Sequence, residues 1–173
     1  MNKVRIGAIV VVVLIAAGYK LFFVDSDEVG QFNDTLVEMV QKSDERFSPV
    51  GKQVEAYALG EKVNTTQMTQ MQKKLVKLLN SDVKKLKSMT VPDCEVCKEL
   101  HASCMTYMAN SLAIAEGYTA VIKQMELKNP GTEDDLEAAT APLGELIEKD
   151  TKLLNEVVSK QQKMAKKYNL TLK

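Results

Sequence analysis

The sequence predicts an all-α protein: an N-terminal transmembrane helix followed by an up-down-up-down four-helix bundle. Three observations carry that expectation. Ala, Leu, Lys, Glu and Gln fill long runs between scarce Gly and Pro, aromatics make up only 5%, and no stretch alternates as a strand would. Apolar residues recur at helical spacing through four long stretches, each bounded by cap or turn residues. The run from Ile6 to Val24 is interrupted by a single charge, Lys20. With 173 residues and 45% hydrophobic content the chain can bury one sizeable core. The division is a membrane anchor over 1–24 and an extracytoplasmic bundle over 25–173.

Ile6 to Val24 is 19 residues, which at helical rise spans about 28 Å, close to the thickness of a bilayer's hydrocarbon core. Lys3 and Arg5 precede the run and Asp25, Asp27 and Glu28 follow it, so the positive-inside rule leaves the short tail in the cytoplasm. The rest of the chain then faces the periplasm or the cell exterior. A cleavable signal peptide cut near Ala16-Ala17-Gly18 is the rival reading, but it leaves Leu21, Phe22, Phe23 and Val24 bare at the new end.

Beyond the anchor, Asp25 and Glu28 have the spacing of a capping box. The first helix of the bundle has an inward stripe of Val29, Phe32, Leu36, Val40, Ser43, Phe47, Val50, Val54 and Tyr57. The phase runs unbroken across Pro49, which predicts a kinked helix, with a restart at Ser48-Pro49 as the alternative. Gly60 closes it. Asn64, Thr65 and Thr66 offer caps for a second helix, with Met68, Met71, Leu75, Leu78, Leu79, Asp82, Val83, Leu86 and Met89 inward.

The third helix is predicted from near Asp93 to Lys128, with Pro92 in its first turn. Its stripe is Val96, Leu100, Cys104, Tyr107, Ser111, Ile114, Tyr118, Val121 and Met125. All three cysteines and the one histidine lie on it. Asn129-Pro130-Gly131 marks a turn, and Thr132 with Asp135 caps a fourth helix that Pro142 is expected to kink. Leu136, Ala139, Leu143, Leu146, Asp150, Leu153, Leu154, Val157, Gln161, Met164 and Tyr168 form its inner face.

Counting residues from each turn stacks these helices into levels. His101 is expected level with Asp82 and Gln161, with Cys97 and Cys104 one turn away. Ser43, Ser111 and Asp150 form a second buried polar layer. Asp82 and Asp150 both fall mid-stripe, where a carboxylate needs a donor or a cation. The bland reading is that such groups only fix helix register.

Cys94, Cys97, His101 and Cys104 lie within one arc of the third helix. One zinc ion cannot take them all, because Cys94 and Cys104 are about 15 Å apart along the axis. Cys97, His101 and Cys104 with Asp82 are the candidate metal ligands, for zinc, or for copper through sulfur with Met105 and Met108. Helical spacing leaves Cys94 to Cys97 as the feasible disulfide within this helix, and Cys104 as a thiol. A Cys-x-x-Cys at a helix start also suits thiol redox chemistry, although no strand pattern supplies a thioredoxin-like fold.

Lys84, Lys85 and Lys87, and Lys160, Lys163, Lys166 and Lys167, cluster at helix ends expected to face the bilayer. The helix dipole alone also favours cations there. Three Asn-x-Thr sequons matter only in a glycosylating host. The chain's 23 basic and 23 acidic residues balance, and setting aside Lys3, Arg5 and Lys20 leaves 25–173 with a net charge of −3, which argues against nucleic acid. No P-loop, Gly-rich nucleotide loop or Ser-His-Asp order is present, so an enzyme is disfavoured. The expected function is a membrane-anchored scaffold or accessory subunit that binds a protein partner or a second copy of itself. The alternative is a metal-binding or thiol-redox bundle.

Overall fold

The computed structural model describes residues 28–129, 131–168 and 170. These residues are all-helical, with no strand among them. The helices are α1 (Glu28–Ala58), α2 (Thr65–Lys87), α3 (Glu95–Leu127), α4 (Glu133–Thr140) and α5 (Gly144–Tyr168), with a 3-10 turn at Ala141–Leu143. They make four long helical stretches, the fourth interrupted at the 3-10 turn. The expected anchor and the Asp25 capping box lie outside the described residues. No helix among those described is long and apolar enough to cross a membrane.

Each boundary has a local cause. In α1, Pro49 sits inside one continuous helix on an exposed position, where the carbonyl that loses its donor can turn to water. The alternative of two helices restarting at Ser48-Pro49 is therefore set aside. Gly60 ends α1 at φ +78°, with Gly60 N–H donating to the Tyr57 carbonyl at 3.0 Å and Glu61 N–H to Ala56 at 3.0 Å. That pairing needs a left-handed residue at its centre, which glycine adopts without strain. Asn64 Oδ1 caps α2 by accepting from Gln67 N–H at 2.9 Å.

The third helix starts at Glu95, later than Asp93, and Pro92 lies before it instead of in its first turn. Cys94 is the cap. Thr132 and Asp135 form the expected reciprocal capping box of α4. Pro142 breaks the fourth stretch where a kink was expected: α4 stops at Thr140 and α5 begins at Gly144. Leu143, held in the intervening turn, packs on Gly117 of α3 so closely that a Cβ there has no room. This close approach is what a glycine in the middle of α3 permits.

Side-chain pairs fix the directions. Gln72 bonds to Ala115 and Thr119 while His101 bonds to Leu86, so α2 and α3 run antiparallel. Cys97 meets Met164, Ser103 meets Glu156 and Asn110 meets Asp150, so α3 and α5 are antiparallel too. Phe32 lies against His101 and Phe47 against Tyr118, so α1 and α3 are parallel. In consequence the start of α1, the end of α2, the start of α3 and the end of α5 share one end of the molecule.

Leu36, Met68, Leu79, Leu86, Leu100, Met108, Met125 and Met164 are essentially inaccessible, each contributing roughly 1.5–3 kcal/mol of apolar transfer. Helix α3 is the axis, packing against every other helix. At the opposite end, the Asn129 side-chain amide clasps Val63, accepting from its N–H at 3.0 Å and donating to its carbonyl at 2.7 Å.

Candidate functional site

Two polar levels cross the core. Near the shared end, His101 is half-buried on α3 with its ring centroid 6.4 Å from that of Phe32. Its Nε2 lies 2.8 Å from the Leu86 carbonyl. A carbonyl only accepts, so Nε2 carries the proton and donates. The sequence places His101 level with Asp82, whereas the structure places it level with Leu86, one turn further along α2. Counting from turns slipped by that one turn.

Asp82 is engaged elsewhere. Its carboxylate pairs with the Arg46 guanidinium of α1 and lies 3.8 Å from Lys85 Nζ. Arg46 was absent from the expected layer because the apolar stripe of α1 does not include it. Long Arg side chains reach around a helix to a buried acid that the stripe cannot forecast. Gln161 is buried, and its Nε2 has no hydrogen-bond partner among the described residues.

Cys97 is joined to Cys94 with an S–S distance of 2.10 Å. The Cys94 sulfur also caps α3 by accepting from Cys97 N–H at 3.1 Å, and Cys97 Sγ lies 3.9 Å from Met164 Sδ. Cys104 is a buried thiol whose pKa burial pushes up to about 12. Thus Cys97, His101, Cys104 and Asp82 have separate neighbours. Among the described residues no three or more His, Cys, Asp or Glu side chains are gathered where one ion could touch them all.

The second level is the more closely knit. Asp150 of α5 accepts from Asn110 Nδ2 at 2.9 Å and lies 3.5 Å from Ser111 Oγ, which is also 3.2 Å from the Tyr107 carbonyl. Ser111 and Asp150 thus meet across α3 and α5, and Ser43 is fully buried on α1. Two further members escaped the sequence reading. Asp44, next to Ser43, accepts a hydrogen bond from the Tyr107 hydroxyl of α3. Asn110, next to Ser111, joins Asp150 to the Leu146 carbonyl, 3.0 Å from its Nδ2. The available signal was the adjacent polar pairs, Ser43-Asp44 and Asn110-Ser111, on faces otherwise apolar.

Electrostatics follow from burial. Asp44 is 6% and Asp150 4% exposed. Loss of hydration pushes the Asp44 carboxyl up to about 7, partly offset by the Tyr107 hydrogen bond and reinforced by the neighbouring charge of Asp150. Asp150 is raised for the same first reason, against the hydrogen bonds from Asn110 and Ser111. Tyr107 is held strongly in its neutral form by burial and by both carboxylates. Two acids thus face a common interior on α1 and α5, with α3 supplying the hydroxyls and amide between them. The chain was compared with protein-family models, with curated proteins and with solved structures, and it matches none of them.

Proposed function

We propose that this chain is a membrane-tethered, non-enzymatic helical bundle on the oxidising side of the membrane, acting as a scaffold or accessory subunit for a protein partner or a second copy. The observation that carries this reading is the Cys94–Cys97 disulfide, because such bonds persist in exported proteins and are rare in reducing compartments. It agrees with the apolar run over 6–24 and its charge asymmetry.

Two further features support it. Lys84, Lys85 and Lys87 close α2, and Lys160, Lys163, Lys166 and Lys167 close α5. Lys160 is paired with Glu99 and Lys85 lies near Asp82, while the remaining ammonium groups sit at the end of the molecule where α1 begins and suit anionic headgroups. The alternative of a metal site at Cys97, His101, Cys104 and Asp82 has less support, since Cys97 is spent in the disulfide and Asp82 on Arg46, while the thiol-redox form of that alternative rests on the same Cys94–Cys97 bond.

The test is fractionation of source cells under thiol-trapping conditions. The expected result is retention in the membrane pellet after alkaline extraction, digestion of the bundle by protease added from outside, and oxidised Cys94 and Cys97. Recovery as a soluble cytoplasmic protein with both cysteines reduced contradicts the proposal.

A further inference from the structure

The second polar level has an imbalance between acceptors and donors. Tyr107 gives its one hydroxyl proton to Asp44. The two amide protons of Asn110 go to Asp150 Oδ1 and the Leu146 carbonyl, at 2.9 and 3.0 Å. Both of those atoms can only accept, which fixes the amide's orientation and makes the opposite atom an oxygen. That oxygen, Asn110 Oδ1, is buried and accepts no hydrogen bond from the described residues. Ser43 Oγ, one residue from Asp44 and in a side chain with no exposure, is likewise without a partner. Ser111 has a single proton for either the Tyr107 carbonyl or Asp150.

Two carboxylates near enough for the charge of Asp150 to act on Asp44 thus share this level with two buried oxygens that have no hydrogen-bond partner, and among the described residues no cation pairs with either acid. On α1, Arg46 is committed to Asp82 and Lys42 to Glu38, while Glu45 is exposed. On α5, Lys149 and Lys152 flank Asp150 in sequence but are exposed, as are Glu145 and Glu148. On α3, Glu116 is exposed. Buried acceptors without donors are costly, and a positive ion compensates them.

We propose that Asp44, Asp150, Asn110 and Ser43 form a buried site for a hard divalent cation of the calcium type, bridging α1, α3 and α5. The donor set is oxygen only, which disfavours zinc and copper, and its two negative charges match one divalent ion. Bidentate carboxylates with the amide and hydroxyl oxygens supply the six contacts at the low end of calcium's usual number. The site is independent of the membrane reading and of the Cys94–Cys97 pair. Bound there, the ion clamps α1 to α5, a pair that otherwise meets largely through α3.

The test is thermal unfolding of the full chain in detergent, stripped with chelator and titrated with calcium chloride at fixed ionic strength and at two pH values. Saturating calcium is expected to raise the midpoint by roughly 5–10 °C, more at the higher pH because protons compete for the same oxygens. Ser43→Ala removes one ligand without leaving a charge or a broken hydrogen bond. It should keep the metal-free midpoint and weaken calcium roughly 10-fold or more, while Asp150→Asn abolishes the shift. Three results overturn the proposal: no calcium shift in the wild type, an equal shift in wild type and both variants, or a midpoint that responds to pH alone. The last assigns the missing positive charge to a proton.

Discussion

The Tyr107 hydroxyl on α3 donates to the Asp44 carboxylate on α1, and both side chains are buried. Tyr107 is 0% exposed and carries the central polar contact between two parallel helices that are otherwise joined by apolar packing. Tyr107→Phe keeps the ring and removes the donor, leaving a buried carboxyl that has lost a partner. The expected loss of stability is about 1–3 kcal/mol, read as a lower urea midpoint at unchanged m-value.

Acidity enters through the same carboxyl. Burial raises Asp44 from the ordinary aspartate range to about 7, so the native state keeps this proton at pH values where the unfolded chain has lost it. The associated stability is therefore complete below about pH 4 and is lost as pH rises to about 7, on the order of a few kcal/mol. Unfolding free energies measured across that window without added metal are expected to fall with pH. Asp44→Asn, which cannot ionise, should flatten the slope. The ion-paired Glu38, Asp93, Glu99 and Asp135, all with lowered pKa, act in the opposite sense and at lower pH.

Arg46 and Asp82 form a pair whose acid side chain is only 7% exposed and whose base is 24% exposed. Arg46→Leu strands the carboxylate and should cost about 2 kcal/mol, less than for a fully enclosed pair because Arg46 reaches water. The double variant Arg46→Leu with Asp82→Leu should recover most of that loss. A chemical-denaturation cycle over the four proteins reads the difference.

Thiol counting separates the three cysteines. With Cys94 and Cys97 joined and Cys104 buried, the oxidised native protein should label negligibly with a thiol reagent. One thiol should react after denaturation and three after reduction. Two or more reactive thiols in the unreduced, denatured chain contradict the disulfide.

The helices were legible because their caps and periods agree. Asn64, Thr132 with Asp135, and Gly60 lie at the ends where their chemistry places them, and the inner stripe from Val29 to Tyr57 is buried at all but one position. The Cys94–Cys97 bond was legible from helical spacing alone. The partner of His101 was not, because a one-turn slip between α2 and α3 leaves every apolar stripe intact while exchanging Asp82 for Leu86. Asp44 and Asn110 were passed over for a related reason: a stripe counted at 3.6 residues picks one residue per turn, whereas a helix enclosed on two sides buries neighbours as well. The break at Pro142, where only a kink was expected, is accompanied by Leu143 seating on Gly117, a contact between distant residues that no local pattern records.

The central claim is that the bundle encloses Asp44 and Asp150 in a shared, water-poor interior. Carboxyl carbon NMR of the full chain with labelled aspartate, titrated against pH without divalent metal, measures this most directly. The expected result is an Asp44 resonance titrating near 7 and an Asp150 resonance displaced above the ordinary range, with the Asp44 midpoint moving in Tyr107→Phe. Both carboxyls titrating near 4, unmoved by that substitution, would place them in water and contradict the account.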